Sequence, residues 1–97
     1  MSDTGIRDYV LAEIHELAKK HGIKKVILFG SRARGSYQRA SDIDLAVSGG
    51  DIVSFSLDVE EETSTPLKYD VISLDGDVQE TLLESIKAEG IILYEEI

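Results

Sequence analysis

Cysteine is absent from this 97-residue sequence. Its absence excludes a disulfide framework and a zinc site built from thiolates. The sequence also lacks an apolar run long enough to span a membrane as a helix. Its first ten residues, MSDTGIRDYV, do not show the basic and then apolar pattern of a signal peptide. We therefore expect a cytoplasmic protein that does not enter a membrane.

Positive charge is also scarce. Ten lysines and arginines stand against 19 aspartates and glutamates, which gives a net charge of −9. A protein that binds nucleic acid without sequence preference needs clustered positive charge to displace counterions from the phosphates. Long DNA or RNA is therefore not an expected direct partner. A basic protein, or a small ligand carried with a divalent metal, suits this charge better, although acidity that serves only solubility explains it equally well.

The length predicts a single domain over residues 1–97. Apolar periodicity predicts helices that alternate with strands, with a first helix that Asp3 or Thr4 caps and a strand at 26–29 that is buried on both faces. Such alternation favours an α/β fold in which helices cover one sheet. The predicted helices span residues 4–21, 31–34, 51–63 and 77–89, and the predicted strands span residues 26–29, 42–47, 68–74 and 91–94.

Asp42 and Asp44 lie two positions apart in a predicted strand, so their side chains are expected on one face. Two carboxylates this close repel each other unless a cation lies between them. Carboxylate oxygens suit Mg²⁺ or Mn²⁺, which also bind the phosphates of a substrate. Taken alone, the pair is a weak motif and fits two solvated acids on an exposed strand edge better than a metal site.

Gly30 and Ser31 lie where the strand at 26–29 gives way to a short helix. The free N–H groups of a helix start suit a phosphate, and glycine allows a ligand to approach the backbone closely. Arg32 and Arg34 follow and could neutralise a triphosphate. The alternatives are a serine that only caps the helix and two arginines that lie in solvent at its end.

Asp70 interrupts a strand-like run, where aspartate is disfavoured. If its strand neighbours the strand of Asp42 and Asp44, three carboxylates converge. Such a set could hold two metal ions, one to activate the attacking oxygen and one to hold the triphosphate. Asp70 would then serve the attacking side as a base or as a ligand of the catalytic metal. The alternative is an acid at a strand end that faces solvent.

The run Phe29-Gly30-Ser31-Arg32-Ala33-Arg34-Gly35, followed by Asp42-Ile43-Asp44, resembles the signature of the DNA polymerase β-type nucleotidyltransferase superfamily. With the short length, it is most similar to the minimal nucleotidyltransferases of prokaryotes, over about residues 23–74. The resemblance implies a mixed sheet and a nucleoside triphosphate donor, with ATP expected. It also implies Mg²⁺ held by Asp42, Asp44 and Asp70.

Members of this group resemble antitoxins that transfer AMP to a tyrosine of a helical partner toxin of the HEPN type. The resemblance therefore implies such a partner here, and the short acidic chain would suit an acceptor that brings its own basic surface. Two other functions stay open. One is an antitoxin that neutralises its toxin by occlusion without catalysis. The other is a nucleotidyltransferase that acts on a small molecule or an RNA end.

Overall fold

Helices and strands alternate along residues 4–96, the part of the chain that the computed structural model describes. Their types follow the predicted order, and most boundaries agree to within two residues. Within these residues, no helix combines the length and the apolar character needed to cross a membrane. The helices are α1 (Asp8–Lys20), α2 (Ser31–Arg34), α3 (Ile52–Glu62) and α4 (Glu80–Glu89), and the strands are β1 (Lys25–Phe29), β2 (Ile43–Ser48), β3 (Tyr69–Ser73) and β4 (Ile91–Glu95).

The four strands form one mixed sheet in the order β3-β2-β1-β4. β1 pairs antiparallel with both β2 and β4, whereas β2 pairs parallel with β3. The parallel pair requires a crossover connection, and α3 provides it. The mixed α/β architecture expected from the resemblance is confirmed. The parallel pairing brings the starts of β2 and β3 to the same end of the sheet.

The two faces of this sheet have different surroundings. One face carries Val26 and Leu28 of β1 with alternate residues of β2, and it forms a single apolar cluster with Ile14 of α1 and Phe55 of α3. Residues between these positions point to the opposite face because side chains alternate along a strand. That face is covered less completely, and β1 is therefore fully buried on one face only, contrary to the prediction.

Two helix starts differ from their predictions. α1 begins at Asp8 rather than near residue 4, and its N-cap residue, Arg7, makes no capping hydrogen bond through its side chain. The Thr4 hydroxyl instead accepts a hydrogen bond from the Ile6 amide at 3.3 Å, while Asp3 lies outside the described residues. α4 begins at Glu80, three positions later than predicted. In both regions, apolar spacing predicted helix where the chain is still extended or turning.

Candidate active site

Asp44 and Asp70 lie opposite each other on neighbouring strands. They are register partners in the parallel β2/β3 pair, and Phe29 of β1 is the partner of Asp44 on its other side. Paired residues of adjacent strands share a face and are separated by about 4.8 Å. Both aspartates therefore lie on the less covered face of the sheet, away from the main core. The condition that the sequence left open for Asp70, a strand next to that of Asp44, is met.

Asp42 lies one residue before β2, on an exposed stretch of chain. The next residue ties this stretch to β3, because the Ile43 amide donates to the Lys68 carbonyl at 2.8 Å. The prediction placed Asp42 within the strand, but the strand begins one residue later, at Ile43. Within residues 4–96, no three acidic, histidine or cysteine side chains already stand in an arrangement that could hold a metal ion.

The turn after β1 places Gly30 directly against the Asp44 side chain. Gly30 has φ 76° and ψ −156°, a combination that is essentially restricted to glycine. A Cβ atom at this position would overlap the Oδ2 atom of Asp44 and lie 3.2 Å from its Cγ. Glycine is therefore required here both by the backbone conformation and by the close approach of the carboxylate.

Ser31 begins α2 immediately after this glycine. The first N–H groups of any helix have no acceptor within that helix, and here the helix follows directly on Gly30, the residue that approaches the carboxylate of Asp44. The arrangement juxtaposes N–H donors, suited to phosphate oxygens, with carboxylate oxygens, suited to a metal ion. The assignment of Gly30 and Ser31 to phosphate binding stays a prediction.

The electrostatics of the site centre on Asp44. Burial raises the pKa of its carboxyl above the ordinary value of 3.8, and the charges of Asp70 and Asp42 raise it further. Arg34 and Arg32 act in the opposite direction and lower it. Repulsion among three carboxylates is the condition that a divalent cation relieves. The donor chemistry of Asp42, Asp44 and Asp70 therefore fits Mg²⁺ or Mn²⁺, although these side chains would have to draw together around the ion.

The two arginines predicted to bind a triphosphate have different surroundings. Arg34 is exposed, and its Nη1 lies 3.4 Å from Oε2 of Glu89 at the end of α4. Its charge also lowers the pKa of Asp44, and the assignment of Arg34 to phosphate binding stays a prediction.

Arg32, by contrast, is 1% exposed. Its guanidinium donates to the carbonyls of Ser41, Thr4 and Arg39 and lies over the ring of Tyr37. The predicted role of Arg32 in phosphate binding is corrected accordingly, because its donor groups are directed at the main chain.

A signal for this division was present in the sequence. Residues two positions apart on a helix are about 200° apart around its axis, so they point in nearly opposite directions. Arg32 and Arg34 could not both face one ligand from the single turn of α2. The contact of Arg34 with Glu89, 55 positions away, had no comparable signal, because it depends on how α4 packs.

Comparisons with known proteins agree with this geometry. The family model described as "Polymerase beta, Nucleotidyltransferase" matches residues 12–96. A curated protein of Methanocaldococcus jannaschii, named "Putative protein adenylyltransferase", is 48% identical over 50 residues. That alignment spans 52% of this chain, and the chain covers about half, 48%, of the length of that relative.

Solved structures share the fold at lower identity. A toxin–antitoxin structure with AMP-PNP aligns with a TM-score of 0.72 at 21% identity, over 89% of this chain and 73% of the other. A MntA-HpeT toxin–antitoxin variant aligns at 0.71 and 19% identity, over the same shares. A structure from Shewanella oneidensis aligns at 0.68 and 13% identity, over 94% and 74%.

At these identities the solved structures support the fold, whereas the family model covers most of the chain, including the Gly30–Ser31 turn and all three aspartates. This chain therefore belongs to the polymerase beta nucleotidyltransferase family.

Proposed function

We propose that this protein is a Mg²⁺-dependent nucleotidyltransferase that transfers AMP from ATP to a partner protein. The observation that carries the proposal is the contact between the Gly30 turn and the Asp44 carboxylate, with Asp70 in register on the next strand. This contact brings a turn suited to phosphate and a carboxylate pair suited to a metal ion into one site. The family supports nucleotidyl transfer in general, and the curated relative named as an adenylyltransferase supports AMP as the transferred group.

The residues of the chain would divide the work as follows. The N–H groups that begin α2 at Ser31 and the exposed guanidinium of Arg34 would bind the triphosphate. Asp42, Asp44 and Asp70 would hold the metal ions. Asp70, on the outer strand β3, is the carboxylate placed to accept a proton from the acceptor hydroxyl or to orient it.

Mg²⁺, when bound, would neutralise charge on the triphosphate and stabilise the leaving pyrophosphate. In the absence of Mg²⁺, the three carboxylates make the site negative. Burial, and then the charges of Asp70 and Asp42, raise the pKa of Asp44. Mn²⁺ has the same preference for oxygen ligands and would serve as a substitute.

For the acceptor, we propose a helical toxin of the HEPN type that this protein modifies as its antitoxin. Toxin–antitoxin complexes are among the solved structures that share the fold, and one of them was determined with AMP-PNP. The net charge of −9 favours a basic acceptor protein over nucleic acid, which an acidic surface repels.

The experiment is transfer of label from α-³²P-ATP to the protein encoded beside this gene, in the presence of Mg²⁺. The double variant Asp42→Asn/Asp44→Asn should lose the labelling, because both substitutions remove metal-binding charge. Asp77→Asn is the matched control, since it neutralises an exposed aspartate in the loop before α4. Equal labelling by wild type and the double variant would refute enzymatic transfer by this site.

The same variants separate catalysis from occlusion. If the double variant still protects cells that express the partner, the protein neutralises its toxin by binding alone. If only wild type and the Asp77→Asn control protect, modification is the mechanism. Salt-sensitive binding to RNA ends, together with absence of partner labelling, would instead support an RNA substrate.

A further inference from the structure

Arg32 is the most deeply buried charged residue of residues 4–96, at 1% exposure. Burying a charge is costly unless hydrogen bonds compensate for the lost hydration. The compensation here comes from main-chain carbonyls rather than from a carboxylate. Nη1 donates to Thr4 at 2.9 Å, Nε and Nη2 donate to Ser41 at 3.0 and 2.8 Å, and Nη2 also reaches Arg39 at 3.3 Å.

All three acceptors lie outside the regular elements. Thr4 belongs to the segment before α1, and Arg39 and Ser41 belong to the loop between α2 and β2. The ring of Tyr37, from the same loop, covers the guanidinium with its centroid 4.9 Å from Cζ. A single side chain therefore ties together two irregular segments that no strand pairing holds in place.

The Ser41 carbonyl is the most significant of these acceptors, since it receives two hydrogen bonds from the same guanidinium. This carbonyl shares a planar peptide unit with the amide of Asp42, so holding the oxygen also fixes the orientation of that unit. On the other side of Asp42, the Ile43 amide is bound to the Lys68 carbonyl. The backbone of Asp42 is thus held from both sides, although the residue lies outside the β-ladder.

We infer that Arg32 is a positioning residue, which sets the place of the Asp42 carboxylate so that it joins Asp44 as a ligand of a divalent cation. The inference rests on the proposed function for the identity of that cation. The affinity of the site for the cation then depends in part on Arg32, although Arg32 does not contact the cation. The fork of arginine is needed because lysine, as a compact point charge, cannot reach three separate carbonyls in a fixed plane.

The test measures binding of Mn²⁺ to the nucleotide-free protein by electron paramagnetic resonance. Arg32→Lys and Arg32→Met should weaken binding by about tenfold or more, as substitutions behind a metal ligand usually do. Phe55→Leu is the matched control, because it disturbs the core on the opposite face of the sheet and leaves the loop untouched. At equal loss of melting temperature, this control should keep the wild-type Mn²⁺ affinity.

A second readout needs no metal. In the amide NMR spectrum of the metal-free protein, Arg32→Lys should shift or broaden the signals of residues 36–42 while those of β1 and α3 stay in place. If Arg32→Met does not fold, Arg32→Lys and Tyr37→Leu still decide the matter, because each loosens the cluster while leaving part of it intact. Unchanged Mn²⁺ affinity in the folded Arg32→Lys variant would overturn the inference.

A double-mutant cycle adds a further requirement. If Arg32 acts through Asp42, then Arg32→Lys should have little additional effect on Mn²⁺ binding in an Asp42→Asn background. Equal effects in both backgrounds would also overturn the inference. A wild-type protein that binds Mn²⁺ normally but never labels a partner would refute the proposed function and leave the role of Arg32 standing.

Discussion

Replacing Gly30 with alanine tests the contact between the turn after β1 and the Asp44 carboxylate. The backbone at Gly30 has φ 76° and ψ −156°, and a non-glycine residue held in such a conformation costs about 1–3 kcal/mol. The added Cβ would also overlap Oδ2 of Asp44. Because that oxygen ends a rotatable side chain, we expect the carboxylate to turn away, which disturbs the site more than it destabilises the fold.

Two measurements separate these effects. Urea unfolding followed by circular dichroism should show a loss of about 1–3 kcal/mol, which leaves a domain of roughly 5–15 kcal/mol stability folded. Mn²⁺ titration of the folded Gly30→Ala variant should show a loss of affinity of about tenfold, because the displaced carboxylate is a proposed ligand.

Gly35→Ala is the control for the free-energy cost of placing a non-glycine residue at a positive φ. Gly35 also has a positive φ, 82°, but a Cβ there would meet no atom within 4 Å. Its cost should be about 1–2 kcal/mol, the penalty of a left-handed residue, with Mn²⁺ affinity unchanged. If Gly30→Ala binds Mn²⁺ as well as Gly35→Ala does, the Asp44 carboxylate is not a metal ligand held against this turn.

Three further substitutions test other parts of the structure. Burial and neighbouring acids raise the pKa of Asp44 above its ordinary value of 3.8. In the metal-free protein, the stabilisation from this carboxyl is therefore fully present at pH values below 3.8, where the group is protonated, and is lost as pH rises through the raised pKa. Asp44→Asn should therefore unfold at higher urea than wild type at neutral pH, with the advantage shrinking in acid; an advantage independent of pH would contradict this reasoning. Arg34→Gln should raise the KM for ATP by about ten- to a hundredfold, the range for a lost hydrogen bond to a charged group. The control Glu89→Gln, which removes the ion pair with Arg34, should leave this KM unchanged. Equal KM values for Arg34→Gln and wild type would exclude Arg34 from phosphate binding. Phe55→Ala removes a fully buried ring and should lower the free energy of unfolding by about 3–5 kcal/mol. A midpoint of urea unfolding near that of wild type would show that Phe55 does not belong to the core.

The pattern of apolar residues was sufficient to predict the type and order of the elements. Period and length distinguish helix from strand locally, and the structure confirmed the eight predicted elements of residues 4–96. The first residues of the helices were less predictable. The apolar side chain of Ile6 is buried in the core without being helical, because an extended segment before a helix can fill the same space as a helical turn.

The candidate site was predictable to the extent that its residues are close in the chain. Gly30, Ser31, Asp42 and Asp44 belong to one family signature, which predicted a phosphate-binding turn and a metal-binding strand. Asp70 was predicted only conditionally, because the distance between strands depends on how the sheet assembles. The parallel β2/β3 pairing met that condition by placing Asp70 opposite Asp44.

The sequence by itself determined the sort of chemistry available to this protein, since carboxylates, arginines and a glycine turn keep their donor and acceptor properties wherever they lie. Only the tertiary structure decided which of these groups are buried and which are exposed. Arg32 and Arg34 are identical in kind and two positions apart, yet Arg32 is buried against main-chain carbonyls and Arg34 is exposed and paired with Glu89. The reason is that burial depends on contacts with Thr4 and Tyr37, residues that the packed fold brings to one side of α2 only.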